Sequence, residues 1–149
     1  KVLWLAHNYH LLEQAFYSFE SEVKHISKPK SNRLDVRVIS GTPGHCRVQE
    51  VQPRDDILIG TLQTVSQAYK REQPQLEAYL KAADEKLFVV FDEAHHSPAP
   101  TYRKLIAAIQ ERFPKSYLLG LTATPTYTDK NKYGWLEKIF PQRIIYQVS

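Results

Sequence analysis

The sequence has no methionine and a single cysteine, Cys46, in 149 residues. One cysteine cannot close an internal disulfide, so the chain must be held by its core, and a reducing compartment is expected. No apolar run approaches the roughly 18 residues that a membrane span needs. The opening Val2 to Ala6 is too short for a signal-peptide core. These absences predict a soluble, cytoplasmic domain without a membrane partner. Glycine is also scarce. None of Gly41, Gly44, Gly60, Gly120 and Gly134 precedes Lys-Ser or Lys-Thr, so no GxxxxGK[ST] loop is present. The charge excess is small: 20 Lys and Arg against 16 Asp and Glu leave +4, too mild to signal a nucleic-acid partner by itself. Finally, an initiating methionine is usually trimmed only before a small residue, and Lys1 is not small. The expectation is a piece of a longer protein.

What is present is ordinary globular material, 42% hydrophobic and 24% charged. A chain of this length buries about 70% of the surface it exposes unfolded. Short apolar runs predict strands at Lys1 to Ala6, Val36 to Ile39, Asp56 to Thr61, Leu87 to Phe91, Tyr117 to Leu121 and Ile144 to Tyr146. Apolar residues at spacings of three and four predict helices from His10 to Lys24, from Leu62 past Tyr69, after Pro74 through Leu80, and from Ala99 to Phe113, with a short one around Trp135 to Phe140. Gly41-Thr42-Pro43-Gly44 reads as a turn. There is no internal repeat. Strands alternating with helices imply an α/β domain with a parallel sheet covered on both faces, whose ligands bind beyond the carboxyl ends of the strands.

Two of the most apolar strands end in polar clusters, Asp92-Glu93-Ala94-His95 and Thr122-Ala123-Thr124. Adjacent carboxylates at a strand tip suit magnesium and phosphate chemistry: one holds a hard cation, usually through water, while its neighbour orients or deprotonates an attacking water. Read alone, the acidic pair reads first as a solvated acidic loop after a strand. Asp92, His95 and His96 could instead be metal ligands of a hydrolase, although no other His or Cys stands at a ligand spacing. Thr61 before Leu62 suits a helix N-cap, and a helix N-terminus is itself a phosphate site, so both readings stand for Thr61 and Gln63. Lys24, Lys28, Lys30 and Arg33 form a basic stretch that can touch nucleic acid or simply be solvated. Trp4 and Trp135 lie in apolar patterns that favour core packing.

Phe91-Asp92-Glu93-Ala94-His95 resembles the Walker B or DEAH motif of superfamily 2 helicases, and Leu121-Thr122-Ala123-Thr124-Pro125 resembles their motif III. Val2-Leu3-Trp4-Leu5-Ala6-His7 with Leu11 to Ala15 looks like motif Ia, and Ile59-Gly60-Thr61-Leu62-Gln63-Thr64 like motif Ib. Four motifs in the family's order span nearly the whole chain, which is far more specific than one tetrapeptide. The resemblance implies a RecA-like first motor domain in which Asp92 coordinates the magnesium of ATP and Glu93 activates the hydrolytic water. It implies that His95, Thr122 and Thr124 couple the nucleotide site to a second RecA-like domain and to nucleic acid. It places Ala6, His7, Thr61 and Gln63 on the backbone of a DNA or RNA strand. His96 and the Tyr102 to Ile106 segment look most like the group that includes restriction-enzyme motors and repair translocases.

The chain departs from that pattern at Asn8 and His10, where relatives often carry Arg and Glu, and at Thr126, where many carry Arg. The larger departure is the missing phosphate loop, which in the family precedes motif Ia, together with the second motor domain and its arginine finger. The expectation for residues 1–149 is thus a partial motor domain with motifs Ia, Ib, II and III, lacking the phosphate-loop strand, inactive alone and holding neither ATP nor Mg2+ tightly. The alternatives are a non-catalytic nucleic-acid-binding module of this fold and the divalent-metal hydrolase. In the family the phosphate-loop strand lies between the motif III strand and the last strand. Tyr117 to Leu121 is therefore expected to have an open flank, able to take a strand from another copy.

Overall fold

Among the described residues five parallel strands form one sheet in the order β2-β3-β1-β4-β5. They are β1 (Val2–Ala6), β2 (Val36–Ile39), β3 (Ile57–Thr61), β4 (Phe88–Asp92) and β5 (Tyr117–Leu121). The helices are α1 (Tyr9–Glu22), α2 (Leu62–Lys70), α3 (Pro74–Ala83) and α4 (Pro100–Arg112). The structure, a computed structural model, describes residues 1–25, 33–96, 99–123, 134 and 137–140, and of His96 only the backbone. The strand expected at Ile144 to Tyr146, Thr124, Trp135, Lys28 and Lys30 lie outside the described residues.

Side chains alternate across a strand, and this sorts the core into two layers. Leu3 and Leu5 of β1 join Leu58, Val89 and Phe91 beneath α2, α3 and α4, around Val65, Leu76, Tyr79, Leu105 and Ile109. Ala6 faces the other way with Ile57 and Ile59, covered by Leu12 and Ala15 of α1 and flanked by Val2, Trp4, Phe16 and Phe19. The near-continuous apolar runs of β1, β3 and β4 follow from burial on both faces.

The helix ends follow local chemistry. Asn8 caps α1 by accepting from Leu11 N–H at 3.2 Å. Pro74 and Pro100 open α3 and α4, where the missing N–H costs nothing. Between α2 and α3 the chain turns through Glu72 at φ 50°. At the amino edge of the sheet, Arg37 of β2 donates to both carboxylate oxygens of buried Asp55 at 2.6 and 3.2 Å. Asp55 also accepts from Gln52 N–H at 2.8 Å, so a charge placed in the core is fully engaged.

Register decides what reaches the carboxyl edge. Ala6 pairs with Thr61, Leu5 with Phe91, and Asp92 with Leu121. Among the described residues β5 pairs with β4 alone. Gly120 of β5 allows a close approach there: a Cβ at this position would lie 2.8 Å from the Ala94 Cβ and 2.9 Å from Phe140 Cζ.

Candidate functional site

Four chain segments far apart in sequence converge at the carboxyl edge: Ala6-His7 after β1, Thr61 at the end of β3, Asp92-Glu93 at β4 and Thr122 after β5. Strands of equal direction and matched register place their last residues side by side, which is why ligand sites of such sheets collect there.

Asp92 closes β4 half-buried, and its Oδ1 accepts the Glu93 N–H at 3.0 Å. Burial pushes its carboxyl above the ordinary carboxylate range, with the Glu93 charge adding to the rise; the Glu93 N–H and, least, the Trp4 indole oppose it. Trp4 Nε1 is buried and falls short of hydrogen-bond geometry with any partner. Glu93 takes φ 52°, the left-handed region that a side chain rarely adopts and that collects at functional sites.

A 3₁₀ turn over Ala94–His96 then returns His95 toward β5. His95 Nδ1 stands 3.0 Å from Thr122 Oγ1 and 3.1 Å from Glu93 Oε2. A carboxylate only accepts, so the tautomer with a proton on Nδ1 is the one that would link the ring to Glu93. This bridge joins the ends of β4 and β5 through side chains. His95 is thereby turned toward Glu93 and Thr122, and no group of three His, Cys, Asp or Glu side chains capable of holding a metal exists among the described residues.

The other sequence-derived residues fall on the same edge in different states. His7 is exposed, with Nδ1 3.3 Å from the Tyr102 hydroxyl and its ring stacked on that of Tyr102. Ala6 is fully buried in the core layer under α1, backbone included, so in this structure it presents no surface to a ligand. Thr61 Oγ1 accepts from Thr64 N–H at 3.2 Å and donates to Thr64 Oγ1 at 2.9 Å, making it the N-cap of α2. Gln63 is exposed on the first turn of that helix.

In the sequence Tyr102 was visible as an apolar position of the expected helix and as the start of the Tyr102 to Ile106 segment, with no role of its own. The structure sets it between Phe91 and His7, and burial with the nearby Asp92 charge pushes its phenol up to about 12. No sequence pattern distinguishes a tyrosine whose hydroxyl reaches the site from one that only packs.

The donor set fits a magnesium-nucleotide group in one respect. Mg2+ keeps most of its coordination to water and phosphate and asks the protein for one or two carboxylates. Asp92 would hold it, and Glu93 would face the attacking water. When bound, the ion would neutralise phosphate charge.

The family model described as "Type III restriction enzyme, res subunit" matches residues 1–127. No curated protein matches the sequence significantly. Among solved structures, the helicase domain of Hef from Pyrococcus furiosus is similar at 21% identity with a TM-score of 0.65, over 94% of this chain and 26% of the other. The likeness is one of fold, and the chain spans about a quarter of that protein's length. Strand order, the converging strand ends and the family match together make this a superfamily 2 helicase RecA-like domain, and the chain belongs to the family of type III restriction enzyme res subunits.

Proposed function

We propose that these residues form the first motor domain of an ATP-dependent DNA or RNA translocase, acting with a phosphate loop and a second RecA-like domain not contained in residues 1–149. The observation that carries this is the His95 bridge. It connects Glu93, the residue suited to activate water, to Thr122 at the end of the neighbouring strand. A change in the orientation of Glu93 on hydrolysis is thereby passed to the segment after β5. His7, Thr61 and Gln63 on the adjoining strand ends take the backbone of the nucleic-acid strand. Thr124 extends the coupling segment beyond Thr122.

In this reading Glu93 takes a proton from the attacking water, and Asp92 would hold the metal ion. A general base of this kind supplies about 10²- to 10⁴-fold in rate. The test is nucleic-acid-stimulated ATP hydrolysis by the complete protein. Glu93→Gln is expected to reduce kcat by about that factor while leaving nucleic-acid binding intact. Unchanged turnover in that variant sinks the assignment. His95→Ala is expected to keep basal hydrolysis but lower its stimulation by nucleic acid.

A further inference from the structure

An open hollow of about 240 Å³ lies outside the strand-end cluster, between one flank of α2 and the loop that follows β2. Thr64, Gln67 and Arg71 line it from the helix, at successive turns of one face; Gly41, Arg47 and Gln49 face them from the loop. No acidic residue lines it. Both arginines are exposed, and neither guanidinium has a hydrogen-bonding or ion-pair partner among the described residues. The nearby acids are occupied elsewhere. Glu50 Oε2 accepts the Arg47 backbone N–H at 2.6 Å, and Glu72 lines a separate hollow with Glu77 and Arg112.

The loop wall is held in place. Ser40 Oγ accepts from Thr42 N–H at 3.0 Å and lies 2.6 Å from His45 Nδ1. His45 Nε2 stands 2.5 Å from Glu13 Oε1 of α1. The hollow therefore has two walls, each presenting a guanidinium with no partner among the described residues, and Thr64 on the helix wall is hydrogen-bonded to the Thr61 cap.

We infer that Arg47 and Arg71 form a phosphate subsite for a single nucleic-acid strand, extending the track from Thr61 down the flank of α2. From Thr64 to Arg71 the helix rises about 10 Å, a length spanned by about three stacked nucleotides at 3.4 Å each. Planar guanidinium groups suit phosphate oxygens, and the glutamines supply neutral donors without base selectivity. The assignment rests on the nucleic-acid reading given above and adds the direction in which the strand leaves the site.

The test is binding of the 149-residue chain to single-stranded oligothymidylate of about 12 nucleotides, a length in the usual site-size range, across a salt series. Removing one cation that neutralises a phosphate of a single strand lowers the slope of log K against log salt by about 0.7. The Arg47→Gln/Arg71→Gln variant should therefore lose about 1.4 in slope and about 25-fold in affinity near 0.1 M salt, relative to the 1 M limit where the ionic contribution vanishes. Arg54→Gln, an exposed arginine in the turn before β3 at the opposite edge, should leave the slope unchanged. A parent slope retained in the double variant, with binding intact, overturns this subsite alone. Failure of the parent chain to bind the strand at all overturns the nucleic-acid reading with it. Inorganic phosphate at matched ionic strength should not remove the arginine-dependent part of the affinity; if it does, the hollow is a free-phosphate site. Unchanged thermal melts of both variants confirm that the exposed substitutions leave the fold in place.

Discussion

Asp92 carries a cost that the fold accepts. Its carboxyl is raised by burial first, so the folded chain binds that proton more tightly than the unfolded chain does. The sign follows: this group favours the folded state below its ordinary pKa, and the contribution is lost as pH rises through the raised value. At neutral pH the ionised carboxylate opposes folding. Asp92→Asn, which keeps an acceptor for the Glu93 N–H, is expected to raise Tm at pH 7 by roughly 1–2 °C, a small gain because solvent screens a half-exposed group. The gain should close as pH is lowered toward 4. Thermal melts across that range check it, and a variant that melts below the parent at pH 7 contradicts it. The strained φ of Glu93 is a second local cost at the same place. Two unfavourable choices in adjacent residues are expected where the residues are retained for chemistry rather than packing.

The elements themselves were legible where one period dominated. The expected strands at Val36 to Ile39 and Tyr117 to Leu121 match β2 and β5, and the helix bounds shift by one or two residues through capping at Asn8 and Pro100. Less legible was the loop after β2. It contains a bridge between Ile39 and Cys46 and a 3₁₀ turn at Val48–Glu50, both set by contacts with distant residues such as Glu13. Gly120 gives the contact between elements a measurable consequence. Gly120→Ala forces the Ala94 turn or Phe140 to shift, which costs about 1–3 kcal/mol as other overpacked sites do. Gly41→Ala has open space and should be nearly neutral. Denaturant unfolding ranks the two, and the His95 ring signal in nuclear magnetic resonance should move in the Gly120 variant, because Ala94 precedes it. Equal stabilities would contradict the close approach.

For the whole molecule, the five strands in the order β2-β3-β1-β4-β5 gather Asp92, Glu93, His95 and Thr122 into one cluster, with no phosphate-loop sequence anywhere in the 149 residues. Backbone N–H groups of such a loop supply most of the grip on nucleotide phosphates. The chain alone is therefore expected to show no nucleic-acid-stimulated ATP hydrolysis. A phosphate-release assay with oligothymidylate checks this, and turnover that disappears on Glu93→Gln would contradict it. Among the described residues β5 pairs with β4 alone; the Ile144 to Tyr146 strand, on which the expected open flank depends, lies outside them.

The sequence by itself determined the class of fold and the order of motifs, because apolar periodicity and strand-end chemistry are written locally along the chain. It also identified Asp92, Glu93, Thr61 and Thr122 as residues to watch, through their types and their places at the ends of apolar runs. Only the tertiary structure decided which partner each one has. The His95 bridge from Glu93 to Thr122, the Tyr102 contact with His7, the burial of Ala6 and the pairing of Arg47 with Arg71 across one hollow all join segments distant in the chain. Such contacts depend on strand register and on how helices seat against the sheet, and neither is encoded in the spacing of any single segment.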